Sequence, residues 1–343
     1  MPATAVYGFG NPLVDVSLGV TDEDLAALKL EKGTMLLVDQ DRQQQILDRV
    51  GEKEATYLPG GSCPNTAVML ASLGTPVALA GGIGADKLGD VYGLRLAETG
   101  VVDRLAKVPG AATGTSIVLV TPDGERTMCT HLGACQSFGP GHLTRAEITA
   151  AHYLYFTAYM LDTPNQQAAV QEAIAAARSS GTRIVFDVAD PFAVDRHAGK
   201  IEGLLDDRSI DVLFANSEEA RMLCGEPDPQ QSAITLRDRL PEESGLSVVK
   251  DGANGSVVAA AGYSRHVSAS RANVADTTGA GDAYAGAFMH ALRKGFEPDA
   301  CARFAGFMAA RVVEVRGAQL RSEQAVRYAR EGAELVSVDA ART

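Results

Sequence analysis

The chain has 343 residues, 46% hydrophobic and 22% charged, with a formal net charge of −12. That is the composition of a globular protein with a large core, one big α/β domain with an excursion or two ordinary domains. It carries no basic block for a nucleic-acid backbone to neutralise, which excludes nucleic acid as a partner. No apolar run approaches the roughly 18 residues of a membrane span, and the N-terminus lacks a basic-then-apolar signal, so no membrane partner is expected and the location read is cytoplasmic. Five cysteines without a Cys-x-x-Cys pair point to a reduced compartment, and six scattered histidines show no metal-ligand spacing.

In chain order, residues 5–9 read as a strand, and 13–20 and 34–38 as strands around a short helix at 22–29. A helix at 64–73 has Pro in its first turn and Gly74 as its stop. A strand at 77–80 and a helix at 87–99 follow. Residues 115–121 and 126–131 flank Pro122-Asp123-Gly124-Glu125, a hairpin turn. From about residue 150, short apolar runs (153–157, 183–187, 212–215, 246–250) alternate with longer amphipathic ones. This predicts βαβ units and a doubly wound, mostly parallel sheet with helices on both faces. Helices at about 280–294, 298–314 and 321–332 close the chain. The expected division is a large α/β domain from 1–12, 39–110 and 133–343, with a small inserted β lid from 13–38 and 111–132.

The most informative run is Asp276-Thr277-Thr278-Gly279-Ala280-Gly281-Asp282. Two glycines let the backbone approach a ligand closely, and the helix that follows turns its amides and positive dipole end toward an anion. A carboxylate in that first turn makes sense if Asp282 takes a proton from a hydroxyl while the amides steady the phosphoryl group under attack. The plainer reading is a glycine turn with a dipole-favouring first-turn Asp. A second glycine element, Gly60-Gly61-Ser62-Cys63-Pro64-Asn65, also enters a helix; Asn65 there is a donor and acceptor for substrate hydroxyls, or the turn is simply capped by Ser62. Asp15, near the carboxyl end of the first strand with Asn11 and Leu13, would match two vicinal hydroxyls, or be an exposed strand residue. Asn216 and Glu219 form a helix capping box or order Mg²⁺ and its waters. Lys250, Gly252 and Gly255 make a nucleotide loop or a plain hairpin. A P-loop sequence is absent, and no third glycine completes a dinucleotide fingerprint at Gly8-x-Gly10 or Gly279-x-Gly281.

Taken together and in order, these elements resemble the ribokinase-like (PfkB-type) small-molecule kinases over about residues 5 to 330. Asp276–Asp282 is similar to their C-terminal signature, Gly60–Asn65 to their N-terminal glycine element, Asn216-x-x-Glu219 to their Mg²⁺-organising motif, and Lys250-x-Gly252-x-x-Gly255 to their nucleotide loop. The resemblance implies ATP with Mg²⁺ as donor, a K⁺ near the 276–282 loop at Asp276, and a β lid over a small-molecule substrate. It implies Asp282 as base and the amides of Gly279, Ala280 and Gly281 as the anion hole. Asp15 and Asn65 would hold substrate hydroxyls, with Asn11, Leu13, Gly61 and Ser62 beside them and Thr277 at the nucleotide. Residues 10–15, 126–134 and 187–192 are closer to adenosine kinases than to sugar kinases. Met128 and Leu132 of the lid, with Tyr159, would sandwich a purine or simply pack the core. Arg126 reaches the transferring phosphate or ends a strand in solvent. The activity expected is phosphorylation of the 5′-hydroxyl of adenosine or a related nucleoside, with a sugar kinase as alternative and a non-catalytic nucleoside-binding protein as the rival of another class. Monomer and homodimer both stay open.

Overall fold

Short β-branched and aromatic runs with no polar face can only be satisfied as strands covered on both sides. The computed structural model describes residues 4–51 and 55–340. Residues 1–3, 52–54 and 341–343, which the expected large-domain bounds take in, lie outside the described residues. The nine-stranded sheet has the spatial order Tyr263–Val267, Ser256–Ala260, Leu246–Lys250, Val212–Asn216, Arg183–Asp187, Tyr153–Thr157, Val6–Phe9, Val77–Gly84, Val102–Val108. The pairs from Leu246–Lys250 through to Val102–Val108 are parallel; the two hairpin strands at the other edge are antiparallel. One core, with Leu79, Tyr155 and Phe214, packs under helices Ser62–Ser72, Ala280–Arg293 and Pro298–Val312. The opposite core, with Phe9, Phe156 and Phe186, packs under helices Pro164–Ser180, Pro191–Asp206 and Pro229–Arg237. This is the doubly wound α/β architecture expected from the sequence.

Strand order reverses at Val6–Phe9. Its neighbours are Val77–Gly84 on one side and Tyr153–Thr157 on the other. A crevice opens at the carboxyl end of such a switch point, and the chain leaves Val6–Phe9 there directly into Asn11 and Asp15.

The lid is a five-stranded sheet ordered Met35–Leu37, Arg126–His131, Thr115–Val120, Leu13–Gly19, Thr56–Gly60. It reaches beyond the 13–38 and 111–132 bounds. Thr56–Gly60 pairs antiparallel with Leu13–Gly19, Leu13 opposite Gly60 and Ser17 opposite Thr56. Helix Gln40–Val50 covers one face of the lid, where Ile46 packs with Val16, Leu18, Ile117, Leu119 and Cys129, and the alternate residues Asp15, Ser17 and Val118 face the other way. Gln43 Nε2 donates to the carbonyls of Thr115 (3.0 Å) and Cys129 (2.9 Å), stitching that helix to the sheet. Thr56–Gly60 escaped the sequence reading because its first three residues are exposed and it ends in Pro-Gly, so it has no alternating apolar face.

The lid therefore has a core of its own. Ile46→Ala should cost about 2–5 kcal/mol there. Native-state amide exchange should show protection falling in the lid strands while the amides of Tyr153–Thr157 keep theirs.

Candidate active site

The 276–282 run folds as its glycines require. Asp276 Oδ1 accepts from the amide (2.8 Å) and hydroxyl (2.7 Å) of Thr278, and Oδ2 from the Gly317 amide (2.8 Å). Gly279, at φ +71°, caps helix Ala280–Arg293. A Cβ there would lie 2.5 Å from Ala318 Cβ, so only glycine lets the loop rest on the Gly317–Ala318 segment. No hydrogen bond among the described residues takes up the amides of Gly279 or Gly281, whereas Ala280 N–H already donates to the Thr277 carbonyl at 3.3 Å. Of the three amides expected in the anion hole, two are free and one is partly spent. Thr277 itself is exposed at the turn.

Asp282 stands in the first helical turn, half-buried. Ser62 Oγ donates to its Oδ1 (2.6 Å) and Asn65 Nδ2 to its Oδ2 (3.0 Å). Burial pushes its carboxyl up to about 6; the Ser62 and Asn65 hydrogen bonds oppose that rise, Asp187 adds to it, and Lys250 restrains it. Ser62 and Asn65, expected among the substrate contacts, are thus placed as holders of Asp282. Gln319 Nε2 donates to Asn65 Oδ1 (3.0 Å), which turns the Asn65 NH₂ toward the carboxylate. Gln319 was not singled out in the sequence, because nothing local marks it; only the fold brings residue 319 beside residue 65.

A cavity of about 1240 Å³ lies between the lid and the large domain, lined among others by Asp15, Arg126, Asp276–Thr278 and Gln319. Asp282 is not on its lining; Gln319, which is, reaches Asp282 through Asn65. Asp15 sits against Gly60, where a Cβ would fall 2.3 Å from its Oδ2. Burial raises the Asp15 carboxyl to about 7, with Arg126 working against the rise and Asp282 adding to it. Arg126 Nη2 pairs with Asp276 Oδ1, tying the lid to the glycine loop. Its sequence alternative, a solvent-exposed strand end, is not what the structure has.

Other expected residues are spent within the protein. Asn11 Oδ1 accepts from Gln166 Nε2 (2.7 Å), and its Nδ2 reaches the Tyr159 carbonyl (3.5 Å). Gly61, at φ +99°, brings the chain against Asn11: a Cβ would be 2.1 Å from the Asn11 carbonyl oxygen. The close approach is to this strand end. Leu13 packs over Gly114, Met128 stands opposite Val118 in the lid sheet, Leu132 is buried, and the Tyr159 hydroxyl donates to Asp190 Oδ2 (2.9 Å). Met128, Leu132 and Tyr159 do not line the cavity. Its apolar wall comes from Tyr57, Leu58, Val118 and Val274, two of them on the strand the sequence did not reveal.

On the far side of Asp282, Asn216 and Glu219 form the capping box: Glu219 N–H donates to Asn216 Oδ1 (2.8 Å), while Asn216 N–H and Nδ2 donate to Glu219 Oε2 (2.8 Å) and Oε1 (2.6 Å). Burial lifts the Glu219 carboxyl to about 7, against the pull of Lys250. Lys250 Nζ bonds Asp187 Oδ2 (2.9 Å) and Oδ1 (3.2 Å). Gly252 (φ +53°) and Gly255 (φ +106°) make the turn into Ser256–Ala260, with Asp251 N–H donating to the Gly255 carbonyl (2.8 Å). A Cβ on Gly255 would meet the Val267 carbonyl at 2.0 Å, so the hairpin by itself requires that glycine.

Among the described residues, no group of three or more His, Cys, Asp or Glu side chains could hold a metal ion. The monovalent cation expected at Asp276 finds no support: its carboxylate is engaged by Thr278, Gly317 and Arg126. Nor is any helix among the described residues long and apolar enough to cross a membrane.

Comparison with known proteins agrees with this geometry. The pfkB family carbohydrate kinase pattern matches residues 35–325. The chain is 31% identical to the adenosine kinase of Sinorhizobium meliloti, whose crystal structure superposes with a TM-score of 0.89 over 96% of this chain and 99% of that one. It is 29% identical to a probable sugar kinase of Rhizobium etli CFN 42, with a TM-score of 0.90 over 97% and 99% of the two chains. It is 25% identical to the adenosine kinase of Dictyostelium discoideum over 92% of this chain and 96% of that protein. The chain belongs to the pfkB family of kinases. It is a ribokinase-like phosphotransferase with an alcohol group as acceptor, and its family implies ATP as the other substrate.

The two loop glycines should respond differently to substitution. Gly279→Ala forces a left-handed alanine, costing about 1–3 kcal/mol before its clash with Ala318 is counted. Gly281→Ala meets only the flexible end of Lys250 at 3.3 Å and should change stability by less than about 1 kcal/mol. Denaturant titration of the two variants tests this.

Proposed function

We propose that the enzyme transfers the γ-phosphoryl group of MgATP to the 5′-hydroxyl of adenosine or a related nucleoside. One observation carries the reading: a half-buried carboxylate, Asp282, sits in the first turn of a helix whose leading amides, at Gly279 and Gly281, have no hydrogen-bond partner among the described residues. Such transfer needs positioning and charge stabilisation more than covalent chemistry. The acceptor hydroxyl gives its proton to Asp282, and the γ-phosphoryl group rests on the free amides at the helix's positive end. Ser62 and Asn65 fix the carboxylate so that its remaining lone pairs face the acceptor. Asp15 accepts hydrogen bonds from the vicinal ribose hydroxyls. Arg126, released from Asp276, offers its planar fork to the phosphates. Lys250, with the turn at Gly252 and Gly255, faces the nucleotide.

Mg²⁺ bound with ATP would neutralise phosphate charge. The donor set suits that arrangement, since Mg²⁺ on a nucleotide needs one or two carboxylates and several waters and no all-protein cage. Glu219, whose two oxygens accept only from Asn216 among the described residues, has lone pairs left for a metal-bound water.

Similarity to adenosine kinases supports the nucleoside, as does the apolar cavity wall of Tyr57, Leu58, Val118 and Val274, which suits a flat base. The Rhizobium etli relative favours a sugar as the second reading. A coupled ADP-release assay over nucleosides and sugars decides: kcat/KM is expected to be highest for adenosine, and a higher value for ribose or fructose selects the sugar. Asp282→Asn should fold and bind ATP yet lose about 10²–10⁴-fold in kcat; turnover like the parent enzyme's removes Asp282 as base.

The pH dependence has a definite sign. The base works as a carboxylate, and burial holds the Asp282 carboxyl at about 6. Activity should therefore fall as pH drops through about 6 and level off above it. A normal Asp would place that limb near 4, so a pH–rate profile flat down to pH 5 contradicts the assignment.

A further inference from the structure

We propose that Lys250 is a catalytic cation, an ammonium built into the protein at the phosphoryl site that takes up the negative charge of the group in transfer. The inference rests on reading Gly279–Asp282 as that site. It deepens it by adding a fixed ammonium to the free amides and to Arg126.

Lys250 ends strand Leu246–Lys250, two strands from Asp187 at the end of Arg183–Asp187, and its side chain spans that gap. Its Nζ stands 3.3 Å from the point where a Cβ on Gly281 would be. Residue 281 supplies one of the two free amides, so an anion seated on that amide meets the ammonium as well. Glycine at 281 therefore keeps the space between amide and ammonium open, beyond what the turn itself asks.

An ammonium has three N–H donors. Two are directed to the oxygens of Asp187, at 2.9 and 3.2 Å, and no other hydrogen-bond partner of Nζ occurs among the described residues. One donor is left. The Lys250 side chain also keeps 14% exposure where Asp187 has 2%, so the lysine is the more accessible partner of the pair. The ring of Phe214, 5.9 Å from Nζ, supports the cation from the sheet.

Charge balance argues the same way. Although burial works to lower it, the carboxylates of Asp187 and Glu219 raise the Lys250 pKa, so the side chain stays charged at neutral pH. A lysine serving only to neutralise Asp187 would be saturated by it. This one retains a donor and stands beside a helix N-terminus.

The test separates structure from chemistry. Lys250→Met removes the charge but strands Asp187, so Lys250→Met/Asp187→Asn is made alongside it to keep the fold neutral and intact. The double variant should melt near the parent temperature yet lose about 100-fold or more in kcat. It should bind ADP as the parent does while binding a non-hydrolysable ATP analogue about tenfold more weakly. Lys250→Arg, which keeps the charge, should recover part of the lost turnover. A folded double variant with parent-like kcat overturns the proposal, as does one whose ADP and ATP-analogue affinities fall together. Asp282→Asn, assayed in parallel, reports on the underlying site: if it turns over normally, the site reading fails and not Lys250 alone.

Discussion

A carboxylate is expensive to keep charged away from water, and the architecture around Asp282 follows from that cost. Two donors, from Ser62 and Asn65, meet one oxygen each, and the helix N-terminus adds its dipole. Against them stand burial and the nearby charge of Asp187. The balance leaves a carboxyl that ionises at about 6, basic enough to accept a proton and still anionic at neutral pH. Remove either donor and burial would push the carboxyl higher still; add more donors and it would fall back toward the ordinary carboxylate range.

Holding those donors in place uses segments far apart in the chain. Residues 62–66 enter one helix and 279–283 another, and the two helices pack face to face, with Thr66 Oγ1 donating to the Asp282 carbonyl (3.2 Å). The segment 317–319 then serves both sides: Gly317 donates to Asp276, Ala318 supports Gly279, and Gln319 orients Asn65. Anion loop and base are thus braced by the same three residues, so neither can shift without the other. The reversal of strand order at Val6–Phe9 sets this assembly beside the lid strand that carries Asp15.

This division explains which parts could be read in the sequence. Strands 153–157, 183–187 and 212–215 were legible because they are buried on both faces and so are continuously apolar. Asp282 and its glycines were legible because a positive φ at 279 and an open helix N-terminus admit few residue types. Residues whose meaning depends on what the fold brings near them were not: Gln319 reads as an ordinary polar residue, and Thr56–Gly60 has no buried alternate face, its first three residues all being exposed. Ser62 and Asn65 were placed in the site, but their bonds to Asp282 were not foreseen, since a donor's residue type does not say which acceptor it will meet. Asn11 likewise was read as a ligand contact, and the distant Gln166 takes its oxygen.

The electrostatics of the whole site point to how the two substrates must cooperate. Five carboxylates, Asp15, Asp187, Glu219, Asp276 and Asp282, stand with two cations, Lys250 and Arg126, and Arg126 is engaged with Asp276. Such a site repels a bare triphosphate, so a nucleotide is acceptable only with its own cation. Arg126 and Asp15 both belong to the lid, and each changes the charge felt beneath it. With Arg126 held on Asp276, the glycine loop is occupied by its own counter-ion. On the proposed function, anionic phosphates would compete for that guanidinium and exchange the lid's tie to the loop for a tie to substrate, and the charge on Asp15 would lose part of its compensation unless an acceptor's hydroxyls replaced it. Donor and acceptor would then supply complementary halves of one charge balance, with the lid as the element on which both act.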